Sequence, residues 1–132
     1  MTNSIVLIAD ANYEDRQLMK EMICQHNRRI KVNTVSDGRE LNDYLSTCKP
    51  NRLPSLMILQ YELPGADVLQ VLERIRFIEA YSRMSKVVWS ALASGDIVDR
   101  CMRWGAKCCL SKLLRPSAMR QEISGILSAI AA

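Results

Sequence analysis

The chain contains no long apolar run, and this scarcity excludes membrane and secreted classes of protein. No apolar stretch approaches the roughly 20 residues that a membrane-spanning helix needs. The first four residues carry no basic side chain, and the apolar run at 5–9 is too short for the core of a secretory signal. We therefore expect a cytoplasmic protein that does not engage a membrane.

Histidine and cysteine are too few, and too irregularly placed, to predict a metal site or a disulfide framework. The single His26 has no partner at ligand spacing, and no CxxC pair occurs. Adjacent cysteines at 108 and 109 would point to opposite faces of a strand, so structural thiols are favoured over a redox pair. We expect no metal, no cofactor and no disulfide scaffold from the five cysteines, an odd number without framework spacing: Cys24, Cys48, Cys101, Cys108 and Cys109.

Aromatic residues and concentrated positive charge are also scarce, which argues against a nucleic-acid groove. The chain has one Phe, and its net charge of +4 is spread along its length. The densest basic cluster is Arg28, Arg29 and Lys31, at the end of a predicted first helix. Basic residues there favourably meet the negative end of the helix dipole. We therefore expect no nucleic-acid partner.

Hydrophobic residues are plentiful and fall into short runs. At 132 residues, 15.0 kDa and 48% hydrophobic content, the chain suits one globular domain spanning 1–132. Apolar runs rich in β-branched residues, or alternating apolar and polar residues, indicate strands. The predicted strands are 5–9, 30–35, 56–59, 86–91 and 107–110.

Helical spacing of apolar residues follows each predicted strand. Asn12 is a plausible N-cap for the first helix, and Asp37 with Glu40 resembles a capping box for the second. The third helix is predicted over 66–81, the fourth from 94 until Gly105, and the last from Pro116. Five strands alternating with five helices predict a flavodoxin-like, doubly wound α/β domain with a five-stranded parallel sheet.

The third strand directs attention to position 60. In an open parallel sheet, functional groups gather beyond the carboxyl ends of the strands. The apolar run 56–59 is followed by Gln60 and then by a Pro64–Gly65 turn. An amide therefore stands where a carboxylate would be chemically useful.

In the order and spacing of these segments, residues 4–130 resemble the receiver domains of bacterial response regulators, the CheY-like (βα)5 family. The resemblance implies an acidic pair after the first strand, an acceptor Asp after the third, a hydroxyl after the fourth and a Lys at the end of the fifth. Asp10, Ser90 and Lys112 match these positions, whereas Ala11 replaces the second acid and Gln60 the acceptor. Leu113 stands where a cis proline is common, and Cys109 where an aromatic switch residue is common.

These substitutions predict that the familiar chemistry is lost. An acyl phosphate requires a carboxylate nucleophile, and a neutral amide is a poor one. Mg²⁺ prefers carboxylate oxygens, so Asp10 alone would bind it only weakly. Lys112 needs a partner, and we expect it to reach Asp10 or the side-chain oxygen of Gln60. Glu62, at the pocket rim, is expected to be a solvated loop charge rather than a substitute ligand or acceptor.

The leading hypothesis is an atypical, stand-alone receiver, not an enzyme, that binds another protein without aspartyl phosphorylation. The resemblance implies a histidine kinase or a downstream effector as partner, and no DNA-binding output segment is expected in this chain. Trp89 is expected in the core, whereas Trp104 is either a packing residue or a partner anchor. The resemblance places the partner surface on the fourth helix, fifth strand and last helix, with these candidates: Arg100, Arg103, Trp104, Lys107, Cys109 and Arg120.

Two alternatives remain open. A receiver that is still phosphorylated or gated by a ligand would use Glu62 or another group, with Asp10 as metal ligand. A flavodoxin-like cofactor or nucleotide binder would need a glycine-rich phosphate loop after the first strand. Residues 10–15 contain no glycine and three acids, which disfavours that second alternative.

Overall fold

Five strands and five helices alternate along the chain in the computed structural model, which describes residues 4–92 and 94–131. The first three residues, part of the segment that argued against a secretory signal, lie outside the described ranges. Short 3-10 turns occupy Pro50–Arg52 and Glu79–Tyr81. The strands are β1 (Ile5–Ala9), β2 (Lys31–Val35), β3 (Leu56–Gln60), β4 (Ser85–Ser90) and β5 (Cys108–Ser111). The helices are α1 (Tyr13–His26), α2 (Gly38–Thr47), α3 (Val68–Arg76), α4 (Gly95–Arg103) and α5 (Pro116–Ala131).

The strands form one parallel sheet in the order β2-β1-β3-β4-β5, which confirms the predicted doubly wound architecture. The central strands β1 and β3 are covered on both faces, which explains their uninterrupted apolar sequences. Helices α1 and α5 cover one face, and α2, α3 and α4 cover the other. Every strand therefore ends at the same edge of the sheet, where residues 10, 60, 90 and 112 meet.

The third helix is shorter than predicted, and its cap and the following turn explain the difference. Residues 66–81 were expected to form one helix, but Asp67 caps α3 by accepting the backbone N–H groups of Leu69 and Gln70. After Arg76 the chain leaves the helix and makes the separate 3-10 turn, whose Tyr81 hydroxyl donates to the Leu45 carbonyl. This tertiary hydrogen bond has no signature in local sequence. The predicted boundaries of β2, β3, β4 and β5 differ from the observed ones by one residue at one or both ends.

Two glycines hold the loop after β3 against the start of α2. The Gly38 N–H donates to the Pro64 carbonyl at 2.7 Å, and a Cβ built on Gly38 would lie 2.2 Å from the Gly65 oxygen. Gly65 itself has φ of +74°, which favours glycine. This close backbone contact fixes the loop that carries Tyr61 and Glu62.

Candidate functional site

Polar residues at the carboxyl ends of four strands form one cluster. Asp10 follows β1, Gln60 ends β3, Ser90 ends β4, and Lys112 follows β5. The parallel register places these ends side by side, with Ala9 opposite Leu59 and Ser90 opposite Ser111. The fold thus brings together the residues that sequence comparison selected.

Lys112 is neutralised by two carboxylates. Its Nζ lies 2.6 Å from Asp10 Oδ2 and 2.8 Å from Asp15 Oδ2. Asp10 is fully buried, and the Lys112 side chain is only 12% exposed. The expected contact between Lys112 and Asp10 is therefore confirmed, while Gln60 takes no part in it.

The second carboxylate, Asp15, is a site residue that sequence reasoning missed. It lies in the first turn of α1. The Asn12 side chain accepts the Asp15 backbone N–H at 2.9 Å, so the first turn of α1 begins beside the end of β1. The predicted N-cap at Asn12 was the sequence signal that could have found Asp15. It starts α1 directly after β1, so that Asp15 in the first turn and Asp10 both contact Lys112.

The electrostatics of this triad keep Lys112 charged. Burial alone would lower the pKa of Lys112, but its hydrogen bonds to Asp10 and Asp15 and their negative charge outweigh burial and raise it. The ammonium also lies 4.8 Å from the centre of the Trp89 ring, a cation–π distance. Trp89 is 2% exposed, which confirms the expectation that it belongs to the core.

Gln60 closes the centre of the cluster with a backbone contact. Its Oε1 accepts the Ala11 N–H at 2.8 Å. Half-buried at the end of β3, the amide therefore holds the β1–α1 loop in place. The side chain performs a structural task that needs an acceptor oxygen but no charge.

Glu62 is not the solvated loop charge that was expected. It is half-buried, and its Oε1 accepts a short hydrogen bond of 2.5 Å from the Ser90 hydroxyl. Ser90 Oγ in turn accepts the Leu92 N–H at 3.0 Å, while Glu62 Oε2 is buried without a hydrogen-bond partner. The loop fixed by Gly38 and Gly65 brings Glu62 to the hydroxyl, and that long-range backbone contact was invisible to local pattern analysis.

The donor set does not fit a resident Mg²⁺ ion. Asp10 Oδ1 accepts the Asn12 N–H at 2.8 Å, and Oδ2 faces the Lys112 ammonium. Ala11 offers no side-chain oxygen, and the Gln60 oxygen is engaged. Within residues 4–92 and 94–131, no group of three or more His, Cys, Asp or Glu side chains is arranged to hold a metal. A hard cation would have to displace Lys112, because it needs several free oxygen ligands.

The predicted partner surface surrounds the edge strand β5. Helix α4 lies on one face of the sheet and α5 on the other, with β5 between them at the edge. Trp104 and Cys109 are half-buried and pack against the α2–α3–α4 core. Burial raises the pKa of the Cys109 thiol to about 11, helped by the neighbouring Cys101. The remaining candidates are exposed basic residues: Arg100, Arg103, Lys107 and Arg120.

Comparison with known proteins assigns this arrangement to one family. Residues 6–124 match the family described as the response regulator receiver domain. Among curated proteins, the chain is 25% identical over 122 residues to the cyclic di-GMP phosphodiesterase response regulator RpfG of Xanthomonas campestris pv. campestris. That match covers 92% of this chain and 31% of the relative, so the chain spans about a third of that protein's length.

Solved receiver structures share the fold. The signal receiver domain of a DNA-binding response regulator from Colwellia psychrerythraea superposes with a TM-score of 0.82 at 18% identity, covering 95% of this chain and 98% of that one. The phosphorylated cyanobacterial phytochrome response regulator RcpA gives a TM-score of 0.80 at 25% identity, covering 94% and 91%. Across the described residues, none of the helices is long and apolar enough to cross a membrane.

Proposed function

This chain belongs to the response regulator receiver domain family, and we propose that it signals by docking onto another protein without aspartyl phosphorylation. Members of the family are generally non-catalytic modules of two-component signalling that interact with proteins such as kinases and effectors.

The carboxamide of Gln60 is the observation that carries the proposal. A neutral amide cannot supply the ionised oxygen that attacks phosphorus to form an acyl phosphate. Its Oε1 is also committed to the Ala11 N–H at 2.8 Å, so it holds the loop instead of facing a reactant. Position 60 thus carries a side chain that cannot accept a phosphoryl group and that instead holds the β1–α1 loop through Ala11.

Internal contacts also engage the Lys and the hydroxyl that the family resemblance implies at the ends of the fifth and fourth strands. Lys112 is paired with Asp10 and Asp15, and Ser90 donates to Glu62. The Glu62 carboxylate therefore already accepts the hydrogen bond of the Ser90 hydroxyl when no residue is covalently modified. We infer that the pocket is held in one arrangement and that the partner surface is presented constitutively.

Partner binding should then be insensitive to phosphoryl donors. Acetyl phosphate with Mg²⁺ is expected to leave the intact mass of the wild-type protein unchanged. Affinity capture from the native cell should recover the same histidine kinase or effector with and without that treatment. Trp104→Ala should lose the partner, whereas Phe77→Ala, at a 75% exposed aromatic at the end of α3, should retain it. Capture that requires acetyl phosphate would contradict the proposal.

A second candidate function is supported by the position of Glu62. The Glu62 carboxylate is half-buried, accepts a hydrogen bond from the Ser90 hydroxyl and has a second oxygen without a partner, which makes it the candidate for a substitute acceptor. Its signature would be a stoichiometric mass increase with acetyl phosphate that Glu62→Gln abolishes and Glu40→Gln, at an exposed carboxylate of α2, does not. That result would replace constitutive docking with phosphorylation at a new position.

A further inference from the structure

A basic groove lies on the sheet away from the candidate site, near the amino-terminal ends of β1 and of the edge strand β2. It has a volume of about 280 Å³. Its floor is Ile5 and the exposed side of β2, and its wall is the end of α2 with the 3-10 turn Pro50–Arg52. Ile5 pairs with Lys31 in the β1–β2 register, and both strands run from this groove toward Asp10. The groove is therefore independent of the pocket described above.

Positive charge dominates the groove lining. Lys31, Lys49 and Arg52 contribute three exposed cations, and none of the lining residues is acidic. In the part of the chain that the structure describes, none of the three lies within 4.0 Å of a carboxylate oxygen. The nearby acid of α2, Asp43, lines a different cavity, together with Asp37 and Arg39. The three cations therefore have no internal counter-charge.

Neutral donors complete the lining. Asn33 donates from Nδ2 to the Tyr44 hydroxyl oxygen at 2.9 Å, which leaves the Tyr44 O–H proton free to point elsewhere. Burial raises the pKa of Tyr44, so that proton is retained at neutral pH. A phosphate oxygen could accept from this hydroxyl, while the Arg52 guanidinium offers a planar fork suited to two oxygens.

The carboxyl end of α2 carries the negative end of the helix dipole, but its partial charge is too small to balance the three cations. A helix end carries about half an elementary negative charge. Of its groups, the Leu45 carbonyl already accepts the Tyr81 hydroxyl. Three positive charges against about half a negative one leave the groove strongly electropositive.

We propose that this groove binds the phosphate group of a small phosphorylated molecule, with Lys31, Lys49 and Arg52 as the anion-binding side chains. The small volume favours one or two phosphate groups with a compact organic part, which would lie on Ile5 and the Tyr44 ring. A nucleic acid is disfavoured because the lining offers a single half-buried aromatic ring, whereas strand binding uses successive stacking platforms.

Titration of the full chain with sodium pyrophosphate and adenosine monophosphate, followed by amide NMR at constant ionic strength, tests the proposal. We expect the backbone amide signals of Asn33, Tyr44 and Lys49 to shift and to reach saturation. A parallel titration with chloride serves as the control. Arg52→Gln should weaken binding at least about tenfold, because a charge-assisted hydrogen bond is lost. Lys20→Gln, at an exposed lysine of α1, removes the same charge outside the groove and should leave the affinity unchanged.

Two results would overturn the assignment. Shifts that rise linearly without saturation and spread over every basic residue would indicate general ion screening only. Binding of a single-stranded oligonucleotide with no response to pyrophosphate or the mononucleotide would assign the surface to a polyanion instead. Pyrophosphate binding without mononucleotide binding would support the phosphate site and exclude a nucleoside as its organic part.

Discussion

Replacing Lys112 by Met should destabilise the protein strongly at neutral pH, because Asp10 would lose the cation that balances it. Asp10 has no solvent exposure, and its Oδ2 lies 2.6 Å from the Lys112 ammonium. Removing one member of a buried ion pair leaves an uncompensated charge, which typically costs about 3–5 kcal/mol. Asp15 would suffer less, since its side chain is 32% exposed and can be hydrated.

Protonation sets a ceiling on this cost, and the ceiling depends on pH. An isolated carboxylate can escape its charge by taking a proton, which for an ordinary aspartic acid costs about 4 kcal/mol at pH 7 and about 1.5 kcal/mol at pH 5. The loss of unfolding free energy in Lys112→Met should therefore fall from about 4 to about 1.5 kcal/mol between these pH values. In the wild-type protein, by contrast, the stabilisation from Lys112 is lost at alkaline pH. The raised pKa of Lys112 means that its contribution is complete below the pKa of an unfolded lysine, about 10.4, and is lost only as pH rises through the folded value.

Urea denaturation of wild type and variant at pH 7 and pH 5 measures both quantities. The double variant Asp10→Asn/Lys112→Met should recover most of the loss at pH 7, since neither charge remains buried. Lys20→Met removes an exposed lysine from α1 and should change little. An equal loss at both pH values, or a loss below about 1 kcal/mol at pH 7, would refute the reasoning. Arg16, which donates to the Asp10 backbone carbonyl at 2.8 Å, would be the cation to inspect in that case.

Two further predictions concern backbone packing and thiol reactivity. Gly38→Ala should lower the free energy of unfolding in urea by about 2–3 kcal/mol, because its Cβ would lie 2.2 Å from a backbone oxygen. Gly125→Ala, in α5 with nothing within 4 Å of the added Cβ, should raise it by about 0.5–1 kcal/mol. Equal effects of the two substitutions would contradict the close contact at Gly38. Cys109, with a pKa of about 11, should be alkylated by iodoacetamide about tenfold faster per pH unit from 8 to 10, as followed by peptide mass mapping. A plateau near pH 9, as in the urea-denatured chain, would show that its thiol is not shielded.

The sequence predicted the sheet well because each strand carries its own signal. Buried parallel strands favour unbroken apolar runs, which β1 and β3 supply, and β4 carries the shorter run 87–89. Helix starts at Asn12 and Asp37 were predictable for the same local reason, and both side chains accept the expected backbone N–H groups. Strands and helix starts can therefore be predicted from local sequence, because they depend mainly on residues that are close in the chain.

The site could be predicted only in outline, because its decisive contacts join distant residues. Lys112 and Asp15 are 97 positions apart, and Ser90 and Glu62 are 28 apart. Their meeting depends on the path of two loops, one fixed by Gly38 and the other by the cap at Asn12. Sequence therefore identified Asp10, Ser90 and Lys112, but it did not identify Asp15 as the second carboxylate at Lys112 or the contact of Glu62 with Ser90.

Restoring the acceptor alone should not restore phosphorylation, because residues 11 and 60 act as a pair. The Ala11 N–H and Gln60 Oε1 are 2.8 Å apart, so acids at both positions could bind one cation together. Gln60→Asp by itself adds a carboxylate beside Asp10, whose oxygens are already taken by Asn12 and Lys112. We expect little mass increase with acetyl phosphate and Mg²⁺ for Gln60→Asp, and a clear increase for Ala11→Asp/Gln60→Asp. Asn12→Asp/Gln60→Asp is the matched control, since an acid at 12 is spent on capping α1. If the single variant is modified as fully as the Ala11 double variant, Gln60 was the only obstacle, and the internal contacts around it do not close the pocket.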